Sequence, residues 1–299
     1  MGRLIVLMAT AFVDMMGNLI VFPLVPFYAQ RVLGHGPLWT VLNAIGLGGE
    51  GAAVSLLVMS FAVAQLIAAP YWGRFSDRVG RRPALMVGLG ASAIAFVIFA
   101  FANSLELLLL CRLVQGAGGG TVSVIQAYVA DATKPEDRAK ALGWLSAATN
   151  AGVAIGPVIG SGAMNLGVPG PGLVAAGIAL VNMAFAWKYL AESNEMVGMH
   201  HANRPVPRKS PEVLRRVVSH PGEPPSRLIW IYGITMGSFQ GMTTILALFL
   251  AWKFAVTEKT IGIFFTYVGS ISFVTRALIL GKMVGWFGEP KLSRYGMVL

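Results

Sequence analysis

Cysteine is almost missing from this chain of 299 residues: Cys111 stands alone, so no intrachain disulfide scaffold can form. Charge is scarce as well. Asp, Glu, Lys and Arg together make up 12 % of the residues, about half of the ~25 % usual for soluble domains. A chain so poor in charge and 56 % hydrophobic cannot clothe a soluble surface of this size, which excludes an ordinary soluble enzyme and a disordered chain alike. No Walker-type phosphate loop, zinc-ligand spacing or nucleophile triad is found, so neither enzymatic chemistry nor a cofactor is expected. The adjacent His200 and His201 lack any Cys or carboxylate framework around them, so they read as polar surface and no metal is expected. The formal charge of +10 would suit nucleic acid only if it were gathered on a soluble domain. Here the basic residues lie in short islands between long apolar runs, which points to a lipid bilayer instead.

Those apolar runs dominate the sequence. A membrane-crossing helix needs roughly 20 mostly apolar residues. Eight stretches qualify: Leu4–Ala29, Ala53–Trp72, Pro83–Ala102, Leu105–Ala130, Ala139–Met164, Gly172–Leu190, Leu228–Ala251 and Ile261–Met283, with a ninth beginning near Lys291. The first does not read as a cleaved signal peptide, being too long and carrying Asp14 at its centre, and is expected to be a span. The fold class expected is an all-α polytopic membrane protein. Eighteen of the 23 Lys and Arg fall on one side of the spans, among them Arg3, Arg74, Lys134 and Lys188, and three on the other, Arg31, Lys253 and Lys259. By the positive-inside rule the N-terminus is cytoplasmic.

One polar segment with six prolines, residues 191–226, interrupts the apolar pattern after the sixth span and reads as a mobile cytoplasmic linker. Gly73 and Gly80 bracket the island after span two, and Gly281 and Gly288 bracket the one after span eight at the same spacing, 208 residues on. Such an offset suits two parallel halves of six spans. The expected organisation is an N-terminal six-span bundle over 1–190, the linker 191–226, and a partial C-terminal bundle over 227–299. The chain stops within an apolar run at Leu299, so it is expected to be incomplete, with spans seven and eight poorly supported and transport confined to a full-length version.

Four clusters carry chemistry. The first is Gly73, Asp77, Arg78, Gly80, Arg81 and Arg82, with Pro83 behind. Its glycines allow a tight turn, and Asp77 can pair with Arg81 four residues on. The second lies in span four, where Arg112, Gln115, Gly119, Ser123 and Gln126 recur at helical steps and form a polar stripe turned from lipid. An arginine at membrane depth is a functional candidate by default, unless it snorkels to a nearby interface. In the third, Gly152, Gly156, Pro157 and Gly160 follow Gly143 in span five. Glycine at every fourth position makes a smooth ridge for close helix approach, and Pro157 is expected to kink the helix. In the fourth, Asp14 and Asn18 share one face of span one. A carboxylate is costly in lipid, so Asp14 either carries a proton or hydrogen-bonds a neighbouring helix. Gln240, Thr243, Phe264, Phe265, Tyr267 and Arg276 in spans seven and eight are polar and aromatic candidates for a cavity, or ordinary packing.

The loop Gly73–Arg82 closely resembles the signature loop of the major facilitator superfamily. Arg112-x-x-Gln115-Gly116 resembles a motif that the family links to proton handling. Gly143-x8-Gly152-x3-Gly156-Pro157-x2-Gly160 resembles the family's antiporter motif, with Ser161 where a last glycine is usual, and Gly17-x5-Pro23-x2-Pro26 resembles the first span of twelve-span drug:proton antiporters. The resemblance implies proton-coupled export of drugs or other amphipathic small molecules by alternating access. It makes Asp14 and Arg112 the proton-coupling residues, and gives the Gly73–Arg82 loop a gating role. Asn18, Gln115, Gln126 and Gln240 are expected to line the substrate cavity. Small-molecule substrate, protons and lipid are the expected partners, with no nucleic acid. The complete protein is expected to be a monomer in a bacterial inner membrane. An exporter of a metabolite, such as a sugar, amino-acid derivative or siderophore, and a non-transporting sensor are the rival readings.

Overall fold

The computed structural model describes residues 2–34, 36–190, 192, 210–275, 279–288, 292, 294 and 296. Among these residues the regular structure is helical, with no strand. In chain order the helices are α1 (Gly2–Val21), α2 (Val25–Val32), α3 (Pro37–Ala44), α4 (Glu50–Val79), α5 (Arg81–Ala100), α6 (Leu105–Gly118), α7 (Thr121–Ala132), α8 (Arg138–Ala163), α9 (Gly170–Tyr189), α10 (Ser210–Ser219), α11 (Pro224–Phe254), α12 (Ile261–Val274) and α13 (Leu280–Phe287). Among the described residues seven helical segments are long and apolar enough to cross a membrane, and α12 is a shorter apolar helix after them. The chain is thus a multi-pass membrane protein.

Local chemistry explains where the spans bend and end. Span one is not one α-helix. Pro23 and Pro26 lack amide donors, and between α1 and α2 the backbone tightens into a 3₁₀ turn at Phe22–Leu24. Span four is broken by the run Gly118-Gly119-Gly120, so that α6 and α7 are separate helices. Ser104 caps α6 by accepting the Leu107 amide. Span five passes through Pro157 as one unbroken helix. A short helix that hydropathy does not mark, α3, lies between spans one and two, and another, α10, lies within the polar segment 191–226. His200, His201, Arg276 and Lys291 fall outside the described residues.

Lipid tails are as apolar as leucine, so hydrophobicity alone cannot hold these helices together; close van der Waals packing must. The tightest seam joins α1 to α8. A Cβ added at Gly156 would lie 2.7 Å from both the Met16 carbonyl oxygen and Leu19 Cβ, and one at Gly160 would meet the Ile20 carbonyl. The glycine ridge read from the sequence is therefore the face on which span one lies. Gly116 gives α6 the same closeness to Phe61 and Ala64 of α4. Buried aliphatic and aromatic side chains fill the bundle in two layers. One lies around Ile20, Phe96, Phe99 and Leu105, the other around Leu7, Leu85, Leu89, Tyr128 and Leu145. Tyr28 and Phe99 stack with ring centres 4.2 Å apart.

Spans seven and eight differ from each other. Span seven, α11, buries only Ser226, Ala247 and Leu250. Span eight does not fit the expectation of poor support. Gly262 and Gly269 of α12 lie against Pro157 and Ala154 of α8. Ser161 accepts the Gly262 amide at 2.8 Å and donates to the Glu258 carbonyl at 2.9 Å. The residue that departs from the antiporter glycine thus bridges spans five and eight. Beside it Arg31, at the end of α2, forms an ion pair with Glu258.

Candidate functional site

A polar chain runs through the apolar interior from α6 to α1. The Arg112 guanidinium donates to Gln115 Oε1 at 2.8 Å. The Gln115 amide donates to Asn18 Oδ1 at 2.6 Å. The Asn18 amide donates to the Asp14 backbone carbonyl at 3.0 Å. On the far side of this turn, Thr121 donates its hydroxyl to Asp14 Oδ2 at 2.8 Å. Asp14 is 6 % exposed and Arg112 5 %.

These two ionisable groups are connected but do not touch. Among the described residues Asp14 pairs with no Lys or Arg and Arg112 with no Asp or Glu. One Arg112 nitrogen, Nη2, is buried with no hydrogen-bond partner among them, and the guanidinium carbon lies 6.0 Å from the Phe99 ring centre. A buried, unmatched charge is held at a cost in lipid, and such residues face a bundle interior or a pathway. The Arg112 side chain is enclosed by the bundle.

The structure redistributes the residues assigned to the cavity. Asn18 and Gln115 hydrogen-bond each other, and Gln115 also accepts from Arg112. Gln240 is exposed on α11, away from this chain of bonds. Gln126 does line a cleft, of about 290 Å³, together with Ala11, Val122, Ile125, Leu142, Leu145, Ser146 and Thr149. The polar stripe of span four is not continuous. Arg112 and Gln115 on α6 are buried, whereas Ser123 and Gln126 on α7 are exposed, because the break at Gly118–Gly120 comes between them.

The segment Gly73–Arg82 is mostly not a loop. Helix α4 runs through Gly73 and Asp77 to Val79, and α5 starts at Arg81. The reversal rests on Gly80 alone, whose φ of 111° suits glycine and few other residues. Gly73 is helical and makes no turn. Arg81 pairs with Asp77 at 2.8 Å and with Asp131 of α7 at 3.2 Å, and donates to the Ser76 hydroxyl at 2.6 Å. The carboxylate of Glu192 accepts the Arg81 and Arg82 amides at 3.1 and 3.3 Å, so it caps α5 where the helix dipole favours an anion. The Arg82 side chain lies 5.1 Å over the Trp187 ring. Asp131, Glu192 and Thr121 were missed in the sequence, since each meets its partner only across the fold.

The model for the Major Facilitator Superfamily matches residues 4–299. Multidrug resistance protein 1 of Bacillus subtilis is 28 % identical over 306 residues, covering 99 % of this chain and 70 % of that protein. The class E tetracycline resistance protein of Escherichia coli is 29 % identical over 290 residues, covering 96 % of this chain and 67 % of that protein. Among solved structures, that of the human organic anion transporter MFSD10 (TETRAN) superposes with a TM-score of 0.72 at 22 % identity, covering 93 % of this chain and 71 % of that one.

Proposed function

This chain belongs to the Major Facilitator Superfamily, and we propose on that premise that it is a secondary transporter, not an enzyme, which exports drugs or similar amphipathic molecules in exchange for protons. The observation that carries the reading is Asp14: a carboxylate 6 % exposed in an apolar bundle and joined to a neighbouring helix by a hydroxyl. The names of the relatives, multidrug and tetracycline resistance proteins, supply the substrate class. The neutral lining of the 290 Å³ cleft, with Gln126, Ser146 and Thr149 among apolar residues, suits an amphipathic molecule.

In this reading Asp14 takes up a proton on one side of the membrane and releases it on the other, and Arg112 tunes it through Gln115 and Asn18. Residues 1–190 act as one bundle, 191–226 as the link, and the rest as part of the second bundle. The N-terminus is cytoplasmic, because the basic residues gather on one side, and the bacterial relatives suit a bacterial inner membrane. Ser161, Glu258 and Arg31 would then close the outer end, while the cleft faces the cytoplasm.

The test is reconstitution of the full-length protein in proteoliposomes that report internal pH. Tetracycline or ethidium added against a proton gradient is expected to drive proton movement. A response only to sugars, amino-acid derivatives or siderophores would favour the metabolite exporter. No flux with any of them would favour the sensor.

The Gly73–Arg82 segment is proposed as the cytoplasmic latch, and one expected outcome follows. Asp77→Asn should leave folding nearly unchanged, by less than about 1 kcal/mol, because half-exposed ion pairs contribute little and Arg81 keeps Asp131 and Ser76. Substrate affinity should hold while turnover falls several-fold, since neither Asp77 nor Arg81 lines the cleft. Equilibrium binding and initial rates measured on the same preparation separate the two; a collapse of affinity with turnover intact would remove the latch role.

A further inference from the structure

We propose that Thr121 is the positioning residue for proton exchange at Asp14, and that the notch at Gly88 sets its orientation. The proposal rests on the reading of Asp14 as the proton carrier and assigns the group that serves it.

Three features of the fold place Thr121. It is the first residue of α7, immediately after the Gly118–Gly120 break, so the break brings its side chain to the depth of Asp14. It is 4 % exposed and donates to Asp14 Oδ2 at 2.8 Å. Its methyl group fills the space over Gly88 of α5, where an added Cβ would lie 2.6 Å from Thr121 Cγ2. The methyl is thus seated on one helix and the hydroxyl presented to another. A glycine at 88 leaves that seat open; any larger residue fills it.

The chemistry favours a hydroxyl at this place. Asp14 must exist both as a carboxylate, which only accepts hydrogen bonds, and as a carboxylic acid, which also donates one. A hydroxyl donates to the first and accepts from the second by rotating, so neither state is left unpartnered in an apolar interior. A backbone amide N–H can donate to either state but cannot accept the proton of the acid. The other charged groups on the elements around α1 lie at helix ends: Arg138 and Lys140 on α8, Lys188 on α9, Asp131 on α7, and Arg81 and Arg82 on α5. Arg112 is the charged group that the network reaches, and it does so through Gln115, Asn18 and the Asp14 backbone, not the carboxylate. Thr121 is therefore the side chain that meets the titrating atoms.

The experiment is pH-jump infrared difference spectroscopy on the full-length protein in lipid. The carboxyl stretching band of Asp14 is identified by its loss in Asp14→Asn. Thr121→Val, near in shape but with no hydroxyl, is expected to shift that band and to slow proton exchange about tenfold, the scale of one hydrogen bond to a charged group. Thr121→Ser should restore both to within about twofold of the parent, and Gly88→Ala should shift the band while the hydroxyl is still present. If Thr121→Val does not fold, Thr121→Ala removes the hydroxyl without a branched side chain and is held to the same outcome. An unmoved band and rate in the hydroxyl-free variant, with Asp14→Asn inactive in tetracycline- or ethidium-driven proton flux, would overturn this proposal alone. Full flux in Asp14→Asn would remove the carrier reading and this proposal with it.

Discussion

Asp14→Asn is expected to abolish proton-coupled transport while leaving the protein folded in the membrane. The two side chains have nearly the same shape, and the asparagine carbonyl can still accept from Thr121, so the seam between α1 and α7 keeps its contact. The substitution also removes an ionisable group from an interior where it has no cationic partner among the described residues, so stability should hold or rise. What is lost is the proton itself. If Asp14 is the carrier, substrate-driven proton flux in proteoliposomes should fall by at least about a hundredfold, the scale on which positioned proton-transfer groups act. Substrate binding should change far less, because the cleft is lined by other residues. Flux and equilibrium binding measured together decide the matter, and undiminished exchange would take Asp14 out of the mechanism.

The spans were legible because a bilayer imposes a length and a composition on any helix that crosses it, and residues such as Arg81–Ala100 meet both without ambiguity. The glycine ridge of span five was legible for a related reason: glycine every fourth residue has few uses in lipid other than close contact. Which helix would fill the ridge was not legible, since Gly152, Gly156 and Gly160 carry no address for Phe12, Met16 and Ile20. Hydropathy averages over the three glycines at 118–120, so span four read as a single helix and its polar stripe as a single face. The same averaging hid the 3₁₀ turn at Phe22–Leu24. The turn after span two was placed correctly but drawn too wide. A helix can run through Gly73 at small cost, whereas the positive φ at Gly80 is a demand of the backbone that only the structure exposes. Asn18 and Gln115 illustrate the main ambiguity. An amide at membrane depth must be satisfied, and sequence alone cannot say whether a substrate or another amide satisfies it.

Gly156→Leu is expected to have the largest effect on folding, and Gly143→Ala, within the same motif, almost none. At Gly156 an added Cβ already meets the Met16 carbonyl and Leu19 at 2.7 Å, and both are parts of α1 that cannot swing aside like the end of a flexible side chain. A leucine there must push α1 off α8, and overpacking of that kind costs roughly 1–3 kcal/mol or more. Because α1 carries Asp14 and Asn18, the displacement would also pull Asp14 from Thr121 and Asn18 from Gln115. At Gly143 nothing lies within 4 Å of the added atom, and a better helix former there should be neutral or stabilising by up to about 1 kcal/mol. The chain provides its own reporter: Cys111 is its one cysteine and is fully buried, so a thiol-reactive fluorophore labels it only as the bundle opens. Thermal labelling in detergent should begin many degrees lower for Gly156→Leu than for the parent, and at or above the parent temperature for Gly143→Ala. Equal temperatures for all three would mean that the ridge does not hold span one, and the site built on that contact would have to be placed anew.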